Sequence, residues 1–596
     1  MKRASLAGCA VLVACGGAAP AQPVCPGVSA NATGGTSSEA ASTSGVPAVN
    51  AGPDTDLVLL LRPVVVPSPA VHVEITLTHA DAATGAWHLA RGAATRVSKA
   101  SAHDDGGDIG VAVAPAAAGG GVDLTLARAP HGAQVTVAYD VAAGDDAPDD
   151  PLGLYVVDDR FRVAGEKLVA LPASAETGRG SALVRIEGDA LRASAAASSF
   201  GVGNARKTTV PFRALRYANY VAGSLGVQVI DDPAAGHDEG AWLGYTSFDP
   251  RPTVAELAQV RTSLAEMFKT QPDSTPWTYL FVSQTRPIGS FTTTPRWTSA
   301  LLQVGPAEPW GASLRLSTAQ QLARQWIGGI LRIASEPGHE GESAWFSEGV
   351  SRYAATALLA RLGLLSPNDV RDAVSGELSV VATSPDATMP GAQLGALVAK
   401  DDVARATAMA RGALYALAES AAIRAHTKGE RGLVDALAKL VREVQDGKRS
   451  TLSAAAWVDA VGSDDPDAAH TFDALVVRGE RPQLPRAALG PCFRPGTGEY
   501  VAFDPGFDLS ATRASADGHA VGVRAGGPAA KAGLQEGDVV ESMQAREGDG
   551  TVPVKLTVAR AGSKVTLTYV PAGARGRGQS WTRVPGLPDD RCAAPL

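Results

Sequence analysis

The chain has 596 residues, 45% of them hydrophobic, with 65 glycines, 39 prolines and a formal net charge of −8. That length exceeds what one hydrophobic core usually serves, which predicts about two to four domains. The negative balance offers no broad cationic surface, so counterion-release binding to nucleic acid is excluded as a main function.

Residues 2–15 read as a targeting segment: Lys2 and Arg3 precede the short apolar run Ala10-Val11-Leu12-Val13-Ala14, which ends at Cys15. Leu12-Val13-Ala14-Cys15 resembles a bacterial lipobox, which would make 1–15 a lipoprotein signal and Cys15 the acylated residue that holds the protein at the membrane. The alternative is an ordinary signal peptide cut after Ala19-Pro20-Ala21. Both imply export, and the first implies a lipoprotein of the bacterial cell envelope, facing the periplasm or the cell surface. Residues 16–53, rich in Gly, Ala, Ser, Thr and Pro, have the composition of a flexible tether.

Over residues 54–214, short runs such as Val71-His72-Val73-Glu74-Ile75-Thr76-Leu77 and Val122-Asp123-Leu124-Thr125-Leu126 alternate apolar and polar residues between Gly, Asp and Pro breaks. Period-two alternation at this spacing predicts an antiparallel β-sandwich. Residues 215–485 read as a mixed α+β domain. Trp277–Val282 fits a buried strand, and a capping box from Thr253 to Glu256 would open a helix carrying Leu257, Val260, Leu264 and Phe268. Further helices are predicted over 317–334, 344–362, 403–427 and 433–444. From about 490 to 580 the pattern returns to strands around one short helix, Gly527-Pro528-Ala529-Ala530-Lys531-Ala532-Gly533-Leu534, and closes on a hairpin from Val554 to Val570. Cys492 and Cys592 bracket this last region. In an oxidising compartment they would form a disulfide worth about 2–4 kcal/mol, or remain two free thiols.

Two central segments carry a resemblance: Ser317-Thr318-Ala319-Gln320-Gln321-Leu322-Ala323-Arg324-Gln325-Trp326 and Trp345-Phe346-Ser347-Glu348-Gly349. Together with Ala410-Arg411-Gly412-Ala413-Leu414, they resemble the glycyl-aminopeptidase family of thermolysin-like metallopeptidases, metallopeptidase family 61. The C-terminal stretch Gly527–Val540 resembles a PDZ domain. The implied architecture is multidomain α+β: an N-terminal β-sandwich, a thermolysin-like α+β middle domain and a C-terminal PDZ.

The family binds zinc through HExxH, where two histidines one turn apart face one metal and the glutamate between them activates water. The WFxEG helix supplies the third ligand. Aligned on Trp326, the His, Glu and His positions hold Gln320, Gln321 and Arg324. Amides are poor zinc ligands and no bases, and a guanidinium offers no lone pair. The family's oxyanion tyrosine is Met409, whose thioether cannot donate a hydrogen bond. Only Glu348 is retained, so the resemblance implies a catalytically degenerate site without the family's zinc cofactor. Arg324 is then expected to pair with Glu348 in place of the metal; the alternative leaves both at the surface.

The PDZ resemblance implies capture of a peptide or protein C-terminus, or of an extended segment, by a loop at Pro505, Gly506 and Phe507. The expected function is therefore a non-catalytic, peptide-binding envelope lipoprotein. The alternative is an active metallo-aminopeptidase, or another hydrolase with an unrecognised site. His339, Glu340 and Glu342 read as a solvated loop, and Gly341-Glu342-Ser343-Ala344-Trp345 lacks the final Gly of a nucleophile elbow.

Overall fold

The computed structural model describes residues 55–592 except for 79–85, 117–119, 145, 147–149, 151, 158, 189–194, 233–235, 245, 271–275, 285–288, 337, 516–517 and 546–548. The targeting segment, Cys15 and the tether lie outside the described residues.

The N-terminal part is β-rich. One sheet runs in the order Ala205–Pro211, Arg179–Ile186, Leu57–Val64, Ala70–Thr78, Gln134–Ala142, Val97–Asp104, Gly107–Ile109. Its pairs are antiparallel except Leu57–Val64 beside Arg179–Ile186. The alternation read from the sequence is real: along Ala70–Thr78 every second side chain is buried. Two smaller sheets share the same core, which Trp87, Tyr139, Phe161 and Tyr220 fill. Strand Asn219–Gly223 still pairs within this layer, so the β-rich part runs past the boundary drawn at residue 214.

The middle part opens with a five-stranded sheet in the order Leu225–Asp232, Gly236–Leu243, Trp277–Ser283, Ser299–Val304, Thr292–Arg296. Its centre is parallel and both edges are antiparallel. Trp277 to Val282 are buried without interruption, because helices and the N-terminal layer cover both faces. Helix Pro250–Met267 lies over the sheet, and Arg261 from it reaches the fully buried Asp238 at 2.6 Å, with Tyr279 Oη donating to the same carboxylate at 2.9 Å. The capping box expected from Thr253 to Glu256 does not form. The helix starts earlier, at Asp249, whose side chain accepts from Arg251 N, while Glu256 instead binds Arg315 and Trp310.

Helix Ala312–Ala323 is shorter than the predicted 317–334 span. Gly328 stands at φ +94°, a left-handed conformation that ends the helical run, and its N–H bonds Leu331 O at 2.7 Å. The 344–362 span divides into a π-helical turn, Trp345–Val350, and helix Ser351–Arg361. Helices Asp402–His426 and Leu433–Gln445 fall where they are predicted within a residue. Helix Pro367–Thr383, capped reciprocally by Ser366 and Asp369, was not anticipated.

The C-terminal part has a two-stranded ribbon, Phe493–Phe503 with Ala572–Arg583, and a three-stranded sheet over 539–569. The sheet has a small core of its own around Phe507, Ala529, Leu556 and Val558. The ribbon's ends belong elsewhere: Cys492, Phe493, Trp581 and Cys592 are part of the main helical core. Cys492 and Cys592 are bonded to each other, closing a separation of 100 residues. A second short helix, Leu509–Ala514, follows Phe507, where the sequence reading has strands around a single helix. Asp508 caps it through Ala511 N, which draws the chain out of the extended conformation.

Because the bond closes so long a loop, the Cys492→Ser/Cys592→Ser double variant should lose about 3–5 kcal/mol of stability. Denaturant unfolding with and without reductant checks this: the native protein should fall to the variant's value on reduction, and the variant should not respond.

Candidate functional site

Three elements meet at the candidate site: helix Ala312–Ala323, the π-turn Trp345–Val350, and the long helix Asp402–His426. The last two touch through glycine. A Cβ on Gly412 would stand 2.0 Å from Trp345 O, and one on Gly349 would stand 2.5 Å from Gly412 Cα, so no side chain fits at either position. Around this crossing Trp345 packs edge-on against Tyr415, Trp457 and Phe472, with ring centroids 5.7, 5.9 and 5.3 Å away.

Within this frame the structure brings Gln320, Glu348 and Met409 together. Gln320, 5% exposed, donates from Nε2 to Glu348 O at 3.0 Å and to Met409 Sδ at 3.4 Å. One amide thus ties all three elements. Gln321 and Arg324 turn to each other: Arg324 Nη1 donates to Gln321 Oε1 at 3.2 Å. The expected Arg324–Glu348 ion pair is absent among the described residues, where no cation lies within 4 Å of the Glu348 carboxylate. The reason is positional. Arg324 is the C-cap of its helix, and both it and Glu348 are only half-buried, so solvent serves the carboxylate without a guanidinium.

The fold's zinc does not fit these residues. Nitrogen, oxygen or thiolate lone pairs have to converge on a metal, whereas the Gln320 amide nitrogen is already a donor to a carbonyl and a thioether. Among the described residues no three His, Cys, Asp or Glu side chains could hold a metal ion. His339 instead bonds Glu342 at 2.8 Å in an exposed loop, a contact that raises its pKa. Gln320, Gln321, Arg324 and Met409 thus put neither a metal-ligand set nor a carboxylate or imidazole base at these positions.

Arg411 shapes one wall of the site. It is 4% exposed and donates to Met389 O at 2.5 Å and Leu475 O at 2.9 Å, and burial pulls its guanidinium down to about 10. It ties the long helix to the π-turn Asp473–Val477. The sequence motif Arg411-Gly412 holds both the clamp and the close-contact glycine.

At the second candidate site, the loop's polar groups are used internally. Pro505 O accepts from Tyr569 Oη at 2.9 Å, the Gly506 N–H bonds Asp504 Oδ1 at 2.9 Å, and Gly506 O accepts from Arg524 N at 2.9 Å. Phe507 is buried in the small C-terminal core. Gly506 stands at φ +85°, against the Pro528–Ala529 helix start.

No family model and no curated protein sequence matches the chain. Among solved structures, an aminopeptidase N family protein from Idiomarina loihiensis is similar with a TM-score of 0.63 at 15% identity, over 91% of this chain and 100% of that one. The M1 zinc metallopeptidase of Deinococcus radiodurans is similar with a TM-score of 0.44 at 18% identity, over 72% of this chain and 95% of that one. The first likeness establishes a metallopeptidase-like fold.

The glycine crossing is directly testable. Gly412→Ala should destabilise the protein by about 2–3 kcal/mol or more, because the added methyl meets backbone that cannot move alone. Gly376→Ala, on the open face of helix Pro367–Thr383 with nothing within 4 Å, should stabilise it by about 0.5–1 kcal/mol. Paired denaturant curves read both signs; equal effects would mean that the crossing is not tight.

Proposed function

We propose that the chain is a non-catalytic relative of glycyl-aminopeptidase-type metallopeptidases, an envelope lipoprotein that binds peptides. The single observation that carries the reading is the contact of Gln320 with Glu348 O and Met409 Sδ. The residues at the expected metal and oxyanion positions are engaged with one another, so the centre is a structural tie rather than a reaction site. A neutral amide holding a carbonyl contributes about 0.5–1.5 kcal/mol of stability, and it asks for neither a metal nor a protonation state.

The binding role rests on what such a body retains. A peptidase-like body without its catalytic groups would still offer a surface for peptides, and the C-terminal module, read as PDZ-like, would add a second one for an extended segment or chain end. Since the loop at Pro505, Gly506 and Phe507 spends its polar groups internally, ligand capture there would require the Gly506 N–H to leave Asp504. The lipid anchor on Cys15 belongs to the same proposal. It rests on Leu12-Val13-Ala14-Cys15 and would place the module at a membrane surface in the cell envelope.

Metal analysis and turnover on the full chain test the reading together. Purified protein should carry far less than stoichiometric zinc, leave an aminoacyl-amide and peptide library uncut, and still retain peptides from that library, with retention weakened when their C-termini are amidated. Chelator-sensitive turnover would overturn the non-catalytic assignment, and an inert protein that retains no peptide would overturn the binding role.

A further inference from the structure

Beyond the site, the long helix Asp402–His426 carries a group that neither the catalytic remnant nor the clamp uses. Glu419 sits in the apolar run Ala416-Leu417-Ala418-Glu419-Ser420-Ala421 and is 0% exposed. Neither of its carboxyl oxygens has a donor, and Oδ2 of the equally buried Asp465 has none either. After burial itself, Asp465 is the neighbour that raises the Glu419 carboxyl, across the join between the long helix and residues 463–468. An uncompensated buried carboxylate is costly, and two of them facing each other more so. Ionised carboxylates only accept, so a bond between them requires a proton on one.

Among the described residues, the basic group that reaches the pair is His426, on the Asp465 side. Asp465 Oδ1 takes the Asp467 N–H at 3.1 Å and faces His426 Nδ1 at 3.3 Å at the outer end of the pair. On the inner side the Tyr415 hydroxyl accepts from Trp457 Nε1 at 2.9 Å, and burial together with the two carboxyls holds it un-ionised. Arg424 is turned toward Ser420 Oγ, 2.8 Å away, and Tyr353; Arg431 is spent on Asp464 at 2.7 Å.

We propose that Glu419 and Asp465 share one proton and form a pH-sensitive latch that holds the segment from Ser463 to Val477 against the long helix. Losing the proton would set two buried negative charges against each other at the root of helix Ala468–Phe472. Phe472 from that helix packs on Trp345, which opens the π-turn carrying Glu348, and the following turn supplies the carbonyls that Arg411 grips. The latch therefore bears on one wall of the candidate site, whether or not that site does chemistry.

Burial and the facing Asp465 push Glu419 up to about 8. A carboxyl raised in the folded state gives its full stability below its ordinary range and loses it progressively up to the raised value. The opening equilibrium of helix Ala468–Phe472 should thus rise about tenfold per pH unit from about pH 5 to 8 and then level off. Hydrogen exchange of the full chain, corrected for intrinsic pH dependence, measures this over residues 468–472. Glu419→Gln should flatten the slope, and so should Asp465→Asn, whose amide can donate to Glu419. An unchanged slope in Glu419→Gln would overturn the proposal, as would protection restored at pH 7 by calcium or magnesium, which would make the pair a cation site. Should both variants fail to fold, the wild-type protein still decides: a protonated-carboxyl infrared band at pH 7 that fades near pH 8 is expected, and no such band means no shared proton.

Discussion

The arrangement of the helical part depends on one close contact, the crossing of the Trp345–Val350 turn and the long helix at Gly349 and Gly412. Backbone meets backbone there, so the two elements have a single permitted separation. That separation sets Met409 beside Glu348, lets Gln320 reach both, and brings Tyr415, Trp457 and Phe472 around Trp345. Small changes elsewhere can be absorbed by side chains. A methyl group at Gly412 cannot, because the atom it meets is a main-chain oxygen.

The same contact holds the centre together without calling on a metal. In a metallopeptidase the ion cross-links the elements that carry its ligands, and removing ligands would be expected to loosen them. Here the glycine crossing fixes the Trp345–Val350 turn against the long helix, Arg411 ties that helix to Met389 and the Asp473–Val477 turn, and Gln320 ties in the third element through a carbonyl and a thioether. Arg324 was the residue expected to stand in for zinc. It falls at a helix end, turns to Gln321, and leaves Glu348 to solvent. Cross-linking here rests on packing and a neutral hydrogen bond, which salt screens little.

Much of the architecture was legible in the sequence, and the particular residues show why. Alternation over 70–78 and the unbroken apolar run at Trp277 report burial on one face and on two, which is a direct physical signal. The convergence of the 320, 348 and 409 regions was legible only through motif resemblance, since nothing local in those residues says that they meet. Helix ends were read less well. Gly328-Gly329 stops a helix whose apolar period continues to Leu331, and Asp249 caps one four residues before the Thr253 cap that the pattern suggested. The Ser366–Asp369 capping box before helix Pro367–Thr383 was present to be read. Glu419 was legible too, as a lone acid in an Ala and Leu run, but its partner Asp465 lies 46 positions away and only folding pairs them.

The C-terminal module is set apart by sequence composition but not by packing. Its ribbon lies on helix Pro367–Thr383 so closely that a Cβ on Gly576 would stand 1.9 Å from Ala382 O, and Phe493 and Trp581 fill the helical core. The Cys492–Cys592 bond joins the two ends of the module within that core. A module anchored at both ends this way cannot reorient as a tethered domain does; what freedom it has lies in the small sheet around Phe507, which has its own core. Any ligand taken at Pro505, Gly506 and Phe507 would therefore act by remodelling that small core. The ribbon in turn packs on helix Pro367–Thr383, which packs on the long helix that carries Met409, Arg411 and Glu419.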